Sequence, residues 1–542
     1  MKFYFYLVLN IFIFLYPSNV FALFNKVLLI PLDSRPVSVQ FPKSVAAMGK
    51  FNAETPPIEF SGCFLDPGNP DKILSWMKIQ DLGQYDAVVV SLDMIFYGGL
   101  VASRELNTEL MQADARLQGL FKIRALFPNV KFYGFSAITR LAPTATPENI
   151  GWDYALAQYL SRENEWVVTK NKKLLPILKQ LKTKIPKGEM EHALEVRKRN
   201  HLMQIQLIQK TKEGLLDYLV LGQDDANIYG PQVEEAKELI QLSKHLGIEE
   251  KVHYGQGIDQ YGMVLVSRAI LRALNYSPKV KVVYSDDKSA QEVAQYESKP
   301  IYRSLEDQVL AGGAIKTTSI WENYDYMVFV NTPKPRSVQY KLFTDHIQFA
   351  NSLNLPVALA DIDLSDQRGQ TGNPELFDWL CETQQMMKMM LYASWNTASN
   401  TLGTVIPAAS VYSFYPTRHQ PMVAHDAFML DRLTDDHAYH LYVRPLAKKK
   451  AVEIGADPRW LNQEQNQVVQ KFVQENLKPY LMKYFDSQVK DNPYLRGWDQ
   501  CEITTIKDIS ITLPWSRIFE VQIDFDLVKK KIEKPSLFNQ GR

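Results

Sequence analysis

Three cysteines in 542 residues, Cys63, Cys381 and Cys501, allow one disulfide at most. They lie far apart and form no CxxC pair, which excludes a disulfide scaffold and a zinc ribbon. Net charge is nearly absent too, at a formal +1. Binding to nucleic acid or to a charged membrane surface needs a basic excess, so neither is expected. Beyond residue 22 no run is long and apolar enough to span a bilayer. GxSxG, GxxxxGK[ST] and HExxH are missing. Gly255-Gln256-Gly257 follows a strand and precedes a helix, but Gly262 comes too late for a dinucleotide fingerprint. His437 and His440, behind Asp435-Asp436, are read as one solvated helix face rather than a metal site. No cofactor is implied, with a divalent metal held by carboxylates as the alternative.

What the chain does have begins at its N-terminus. Lys2, the apolar run Phe3–Tyr16, Pro17 and Val20-Phe21-Ala22 read as a secretory signal over residues 1–22, cleaved before Leu23. Export to the periplasm or outside, with no stable membrane span afterwards, is the expectation. Removing those residues takes away one lysine and leaves the chain formally neutral.

The rest alternates short apolar, β-branched runs with helical patterns. Strands are expected at Lys26–Leu32, Pro56–Phe60, Tyr85–Leu92, Val130–Phe135, Leu215–Leu221, Lys251–Tyr254, Val280–Tyr284, Tyr326–Val330, Pro356–Ala360 and Met389–Tyr392. Most are separated by helices, one of them from about Leu100 to Leu126. The fold class is therefore α/β, with a mainly parallel, doubly wound sheet in one or two Rossmann-like lobes. The alternative is a (β/α)8 barrel. Residues 23–403 form this region, with a helical insertion at 149–212 whose basic, proline-broken part, 170–187, reads as an exposed connection. Residues 404–542 form a C-terminal region of helices and antiparallel strands, Ile503–Leu513 and Ile518–Leu527.

The chemistry concentrates where strands end. Asp33, Asp93, Asp224, Asp225, Asp259 and Asp361 each follow a strand candidate. Parallel topology brings such ends to one rim, where α/β enzymes bind ligands. Crowded carboxylates raise one another's pKa, which yields an acid and a base from one residue type. For each aspartate alone, a helix cap or turn is the plainer explanation; Asp259, directly before a helix, is the most cap-like. Asp224 and Asp225, adjacent in an extended chain, point opposite ways and take different roles. Arg35, Arg104 and Arg140 accompany the acids, either as their ion-pair partners or as forks for an anionic ligand group. Tyr97, before Gly98-Gly99, and Trp395, Asn396 and Asn400 supply aromatic and amide groups suited to sugar rings and hydroxyls.

Several motifs together resemble the bacterial domain-of-unknown-function family 4127. They are Pro31–Pro36 (PLDSRP), Tyr97–Arg104 (YGGLVASR), the Asp224-Asp225 pair with Gly230, Gly255–Gly262, and Tyr296-Glu297 before Pro300. Further on come Ala311-Gly312-Gly313, Trp395–Gly403 (WNTASNTLG), Arg432–Asp436 and Leu513–Glu520 (LPWSRIFE). The resemblance implies shared motif positions and one architecture over nearly the whole chain, and supplies no reaction. Gly257–Gln260 and the loop Ile362–Asn373 depart from the family pattern.

The expected activity is that of an exported hydrolase acting on a glycan, one with an acidic sugar included. Asp224 and Asp225 are the catalytic pair. Asp33, Asp93 and Asp259 serve the substrate's hydroxyls, Arg35 and Arg140 its anionic group, and Tyr97, Trp395, Asn396 and Asn400 line the pocket. Two rivals are metal-assisted hydrolysis of a phosphate or ester, and a solute-binding protein without turnover.

Overall fold

A computed structural model describes residues 24–319, 322–333, 338–364, 371–415, 423–495 and 501–531. The signal expected at 1–22 lies outside them. Among the described residues eleven parallel strands form two separate sheets. The first contains β1 (Lys26–Ile30), β2 (Asn52–Glu54), β3 (Ala87–Ser91), β4 (Lys131–Ile138), β5 (Tyr218–Gln223) and β6 (Val252–Gln256), in the order β2-β1-β3-β4-β5-β6. The second contains β7 (Lys279–Tyr284), β8 (Ile315–Lys316), β9 (Tyr326–Asn331), β10 (Val357–Asp361) and β11 (Leu391–Ala393), in the order β8-β7-β9-β10-β11. Counted from its own first strand, the second sheet repeats the winding 2-1-3-4-5 of the first. Both are open and doubly wound, and no closed barrel forms among the described residues. In such sheets ligands bind at the carboxyl ends, beside the point where the winding reverses.

Composition explains the central strands. Ala87–Ser91 and Val357–Asp361 are buried at every position, as expected for strands covered by helices on both faces. Helices Tyr261–Ala273 and Ala398–Tyr412 pack against each other between the sheets, and the second is buried at all its positions. This helix carries no charged residue, and its small polar side chains find partners inside: Ser399 on Glu297, Thr401 on the Trp395 carbonyl, Thr404 on the Asn400 carbonyl and Ser410 on Tyr326. One continuous hydrophobic core accordingly runs through both sheets.

Several local expectations fail for identifiable reasons. The piece expected at Pro56–Phe60 ends in a tight turn, Ile58–Phe60, and the strand lies earlier, at Asn52–Glu54. Pro56 and Pro57 lack the N–H groups a ladder needs. The helix expected from Leu100 begins only at Leu110. A short helix, Leu92–Tyr97, precedes it and stops at Gly98, whose φ of +95° caps it in the left-handed region. Asp93 thus sits in a first helical turn rather than a loop. In the insertion, helix Leu174–Lys182 occupies much of the expected exposed connection and buries Leu174, Leu178 and Leu181. Pro176 falls in its first turn, where a missing N–H costs little.

After the second sheet come helices and an antiparallel hairpin, β12 (Cys501–Thr512) with β13 (Gln522–Lys531). The segment Leu433–Val443 is a π-helix, almost wholly buried. Its Asp435, Asp436, His437 and His440 are inside the protein, not on a solvated face. The three cysteines form no disulfide with one another. Among the described residues no helix is long and apolar enough to cross a membrane.

Candidate functional site

The carboxyl ends of the first sheet carry a connected set of acids and arginines. Just beyond β1, Arg35 grips Asp33 through Nε at 3.0 Å and Nη2 at 2.7 Å. The same Nη2 reaches Asp259, beyond β6, at 2.8 Å. Ser38 Oγ donates to Asp33 at 2.8 Å. Burial works against the Arg35 charge, but Asp259, Asp33 and Glu520 outweigh it and keep the guanidinium firmly protonated. Trp515 lies over Arg35, 4.9 Å from its guanidinium carbon, and its Nε1 donates to Ser34 Oγ at 3.0 Å. The C-terminal region therefore closes this part of the rim. Asp259 is not a helix cap: it receives Arg35, and the helix after it has no side-chain cap.

The middle of the rim holds the aspartate pair. Arg104 Nη2 donates to Asp224 at 2.6 Å, and Arg140 Nη1 donates to Asp225 at 2.7 Å. The two carboxylates thus diverge, each with its own arginine. Asp225 has φ +38°, a left-handed conformation that turns it out of the strand direction. Asp224 is buried, while the Asp225 side chain is 38% exposed. Burial raises the Asp224 pKa, Arg104 opposes, and Asp225 adds to the rise. Gly222 lets β5 approach its neighbour: a Cβ there would lie 2.3 Å from the Gly257 carbonyl oxygen. Behind the pair, Asp93 accepts from the Ala137 N–H at 2.8 Å and from Ser136 Oγ at 3.3 Å. Burial pushes the Asp93 pKa up to about 7.

Arg104 and Arg140 also line a cavity of about 390 Å³ between the rim and the helical insertion. Asn149, Trp152, His192 and Arg197 complete much of its wall. The volume lies within the usual small-ligand range of roughly 300–1,000 Å³. Tyr97 is buried elsewhere, with the Arg199 guanidinium stacked 4.2 Å from its ring centre.

The rim of the second sheet is different. Asp361, at the end of β10, accepts from Asn331 Nδ2 at 2.8 Å and the Asn373 N–H at 2.7 Å, fully buried. Burial pushes its pKa up to about 7. Asp436 of the π-helix accepts from the Ser394 N–H at 2.8 Å and pairs with Arg432. Arg432 also holds Asp431 at 2.7 Å and Asp435 at 3.0 Å, with no exposed atom of its own. Trp395 packs edge-on against Phe41 and donates from Nε1 to Thr404 at 3.1 Å. Asn400 is buried and Asn396 half-buried, at φ +58°. His437 stacks on Phe377 at 3.5 Å and hydrogen-bonds Tyr484. Among the described residues no group of three or more His, Cys, Asp or Glu side chains is placed to share a metal ion.

The structure therefore brings together Asp33, Arg35, Asp93, Arg140, Asp224, Asp225 and Asp259. It puts Tyr97 behind them and leaves Trp395, Asn396 and Asn400 in the second sheet's surroundings. Sequence reasoning passed over Trp515 and Glu520 as site residues. Both lie in the quoted motif Leu513–Glu520, which was the available signal.

A family model described as a protein of unknown function (DUF4127) matches residues 27–524. No curated protein and no solved structure matches the chain.

Proposed function

The chain belongs to the DUF4127 family, and from that premise we propose that it is an exported hydrolase acting on glycans that carry an acidic sugar. One observation carries the reading. Asp224 and Asp225 diverge at the end of β5, each held by an arginine that also lines the 390 Å³ cavity. Asp224, whose pKa burial raises against the pull of Arg104, is the acid and protonates the leaving glycosidic oxygen. Asp225, more exposed, accepts the proton of the attacking water. Arg140, whose side chain is 21% exposed, takes the acidic group of the sugar through the N–H groups left over after its bonds to Asp225 and to the Ala142 and Pro143 carbonyls. Arg35, already satisfied by Asp33 and Asp259, sets the geometry of the rim instead.

The test is a turnover screen of the chain from Leu23 with bacterial envelope glycans and plant polysaccharides, read by mass spectrometry. Asp224→Asn and Asp225→Asn run alongside, each with and without chelator. New fragments that disappear in the variants and survive chelation support the carboxylate pair. Fragments lost on chelation move the reaction to metal-assisted hydrolysis. A saturable complex with no products makes the protein a solute binder and ends the hydrolase reading.

A further inference from the structure

One stretch of the insertion serves neither rim. Residues 170–187 hold seven lysines, from Lys170 to Lys187, and no acidic residue. All seven are exposed, and among the described residues none forms an ion pair or lies over an aromatic ring. The whole chain stands at +1, so this charge is balanced only by acids elsewhere. Attraction between exposed charges fades beyond about 10 Å at 0.1 M salt. An approaching surface therefore meets the local excess and not the near-neutral total.

Folding does not ask for this pattern. Helix Leu174–Lys182 packs on helix Asp153–Thr169 and buries Leu174, Leu178 and Leu181. Leu175, Lys179 and Lys182 repeat that spacing on a neighbouring side and stay exposed. Lys179 and Lys182 suit the end of the helix, but Lys172 and Lys173 stand at its start, where the dipole disfavours cations. Lys173 occupies the cap position and makes no capping bond. Leu175 and Ile177 are exposed, as are Val167 and Val168 at the end of the preceding helix. Aliphatic side chains in water beside unpaired lysines contribute little to the core. Together they have the composition of a surface that settles into a lipid headgroup layer. Residues 167–187 contain no arginine and no aromatic, so they lack the forks and stacking rings by which nucleic acid is held.

We propose that residues 167–187 dock the protein on a bilayer surface rich in anionic phospholipid. The lysines meet the lipid phosphates, and Val167, Val168, Leu175 and Ile177 enter the boundary between headgroups and acyl chains. The protein lies on the bilayer without spanning it. Helix Asp153–Thr169 links this face to the cavity, because Leu156 and Leu160 line the cavity wall. Leu160 and Val168 are about 12 Å apart along the helix axis, so docking holds the cavity beside the membrane. The proposal stands whether or not the protein cleaves a glycan.

The test is co-sedimentation of the chain from Leu23, which lacks the apolar run Phe3–Tyr16, with two kinds of vesicle at about 0.1 M salt. One is about one-third phosphatidylglycerol in phosphatidylcholine and the other phosphatidylcholine alone. Binding to the first and not the second is expected. Lys172→Gln, Lys173→Gln, Lys179→Gln and Lys182→Gln combined are expected to weaken it by about a hundredfold or more. Leu175→Ser with Ile177→Ser is expected to weaken it by about tenfold. Both variants are expected to keep the parent's Tm, since the replaced side chains are exposed. They change separate residues, so a fall in Tm in one leaves the other to decide. A natural chain that ignores anionic vesicles overturns the proposal, and so does binding that the lysine variant leaves unchanged. Binding lost with the lysines but untouched by Leu175→Ser with Ile177→Ser, and matched on soluble heparin, makes the segment a polyanion site and overturns membrane docking.

Discussion

The two sheets wind in the same order and use their carboxyl ends in opposite ways. At the first rim, acids and arginines alternate, and Asp225, Asp259 and Arg140 keep part of their surface in water beside a cavity. At the second, Asp361 is covered, Ser394 is spent on Asp436, and the π-helix with Arg432 seals the edge. Topology alone makes both rims eligible for ligands. What separates them is the covering element. The helical insertion stands off the first rim and leaves a chamber, whereas the C-terminal helices press onto the second and leave none described. A strand-end aspartate thus stays partly open beside a chamber at one rim and is an anchor for the next layer at the other.

The sharpest way to break this contrast is to remove one carboxylate from each rim. Asp225→Asn is expected to lower turnover of a glycan substrate by about a thousandfold, near 4 kcal/mol of barrier, with a much smaller change in Tm. Asp436→Asn is expected to leave turnover in place and to move Tm. Equal losses of turnover in both variants would erase the distinction between the rims.

Next in size is the sealed cluster. Arg432→Ala strands three buried carboxylates, and removing one partner of a buried charge set costs about 3–5 kcal/mol. Urea unfolding should show the loss. A midpoint unchanged from the parent would mean that the second rim is not held by this arginine.

The pH dependence of stability sharpens the comparison from the other side. Asp93 and Asp361 are each pushed up to about 7 by burial, while unfolded aspartates ionise near 3.9. Between about pH 4 and 7 the folded chain holds protons that the unfolded chain has lost. Stability therefore falls as pH rises through that window, by roughly 1 kcal/mol per pH unit for each group, and levels off above it. Thermal scans from pH 4 to 8 should show the slope flattened by similar amounts in Asp93→Asn and Asp361→Asn. Turnover is expected to change in Asp93→Asn alone. The smallest effect belongs to Arg35→Lys, which trades a fork shared by Asp33 and Asp259 for a point charge. A loss of about 1–2 kcal/mol in urea unfolding is expected, with turnover reduced severalfold.

Much of this architecture was legible in the chain. Runs such as Val88-Val89-Val90 can only be strands buried on both faces, and their spacing by helices requires parallel pairing. The motif Asp33-Ser34-Arg35 and the Asp224-Asp225 pair marked the first rim because acids directly after buried strands are few. Asp361 met the same criterion and proved to be an anchor, since sequence position does not reveal what packs on top. One lobe or two was left open by the sequence, and the described strands divide between two sheets. That division depends on helix Tyr261–Ala273 passing between the lobes, a tertiary choice that local periodicity does not encode. Asp435 and Asp436 looked solvated because charged pairs usually are; Arg432, one turn earlier, makes their burial tolerable. Trp515 escaped attention because an aromatic residue gains a place at a site only from its neighbours, and Ser34 and Arg35 are distant from it in sequence.

The bond from Trp515 to Ser34 spans 481 residues. Ser34 lies directly after the first strand of the first sheet, and Trp515 arrives with the last hairpin. A ribosome thus completes both sheets before it supplies the group that closes the rim around Arg35. Chains cut short before Leu513 would carry every strand-end aspartate and still lack a finished site. In this protein the packing around Arg35 is completed only at the end of synthesis.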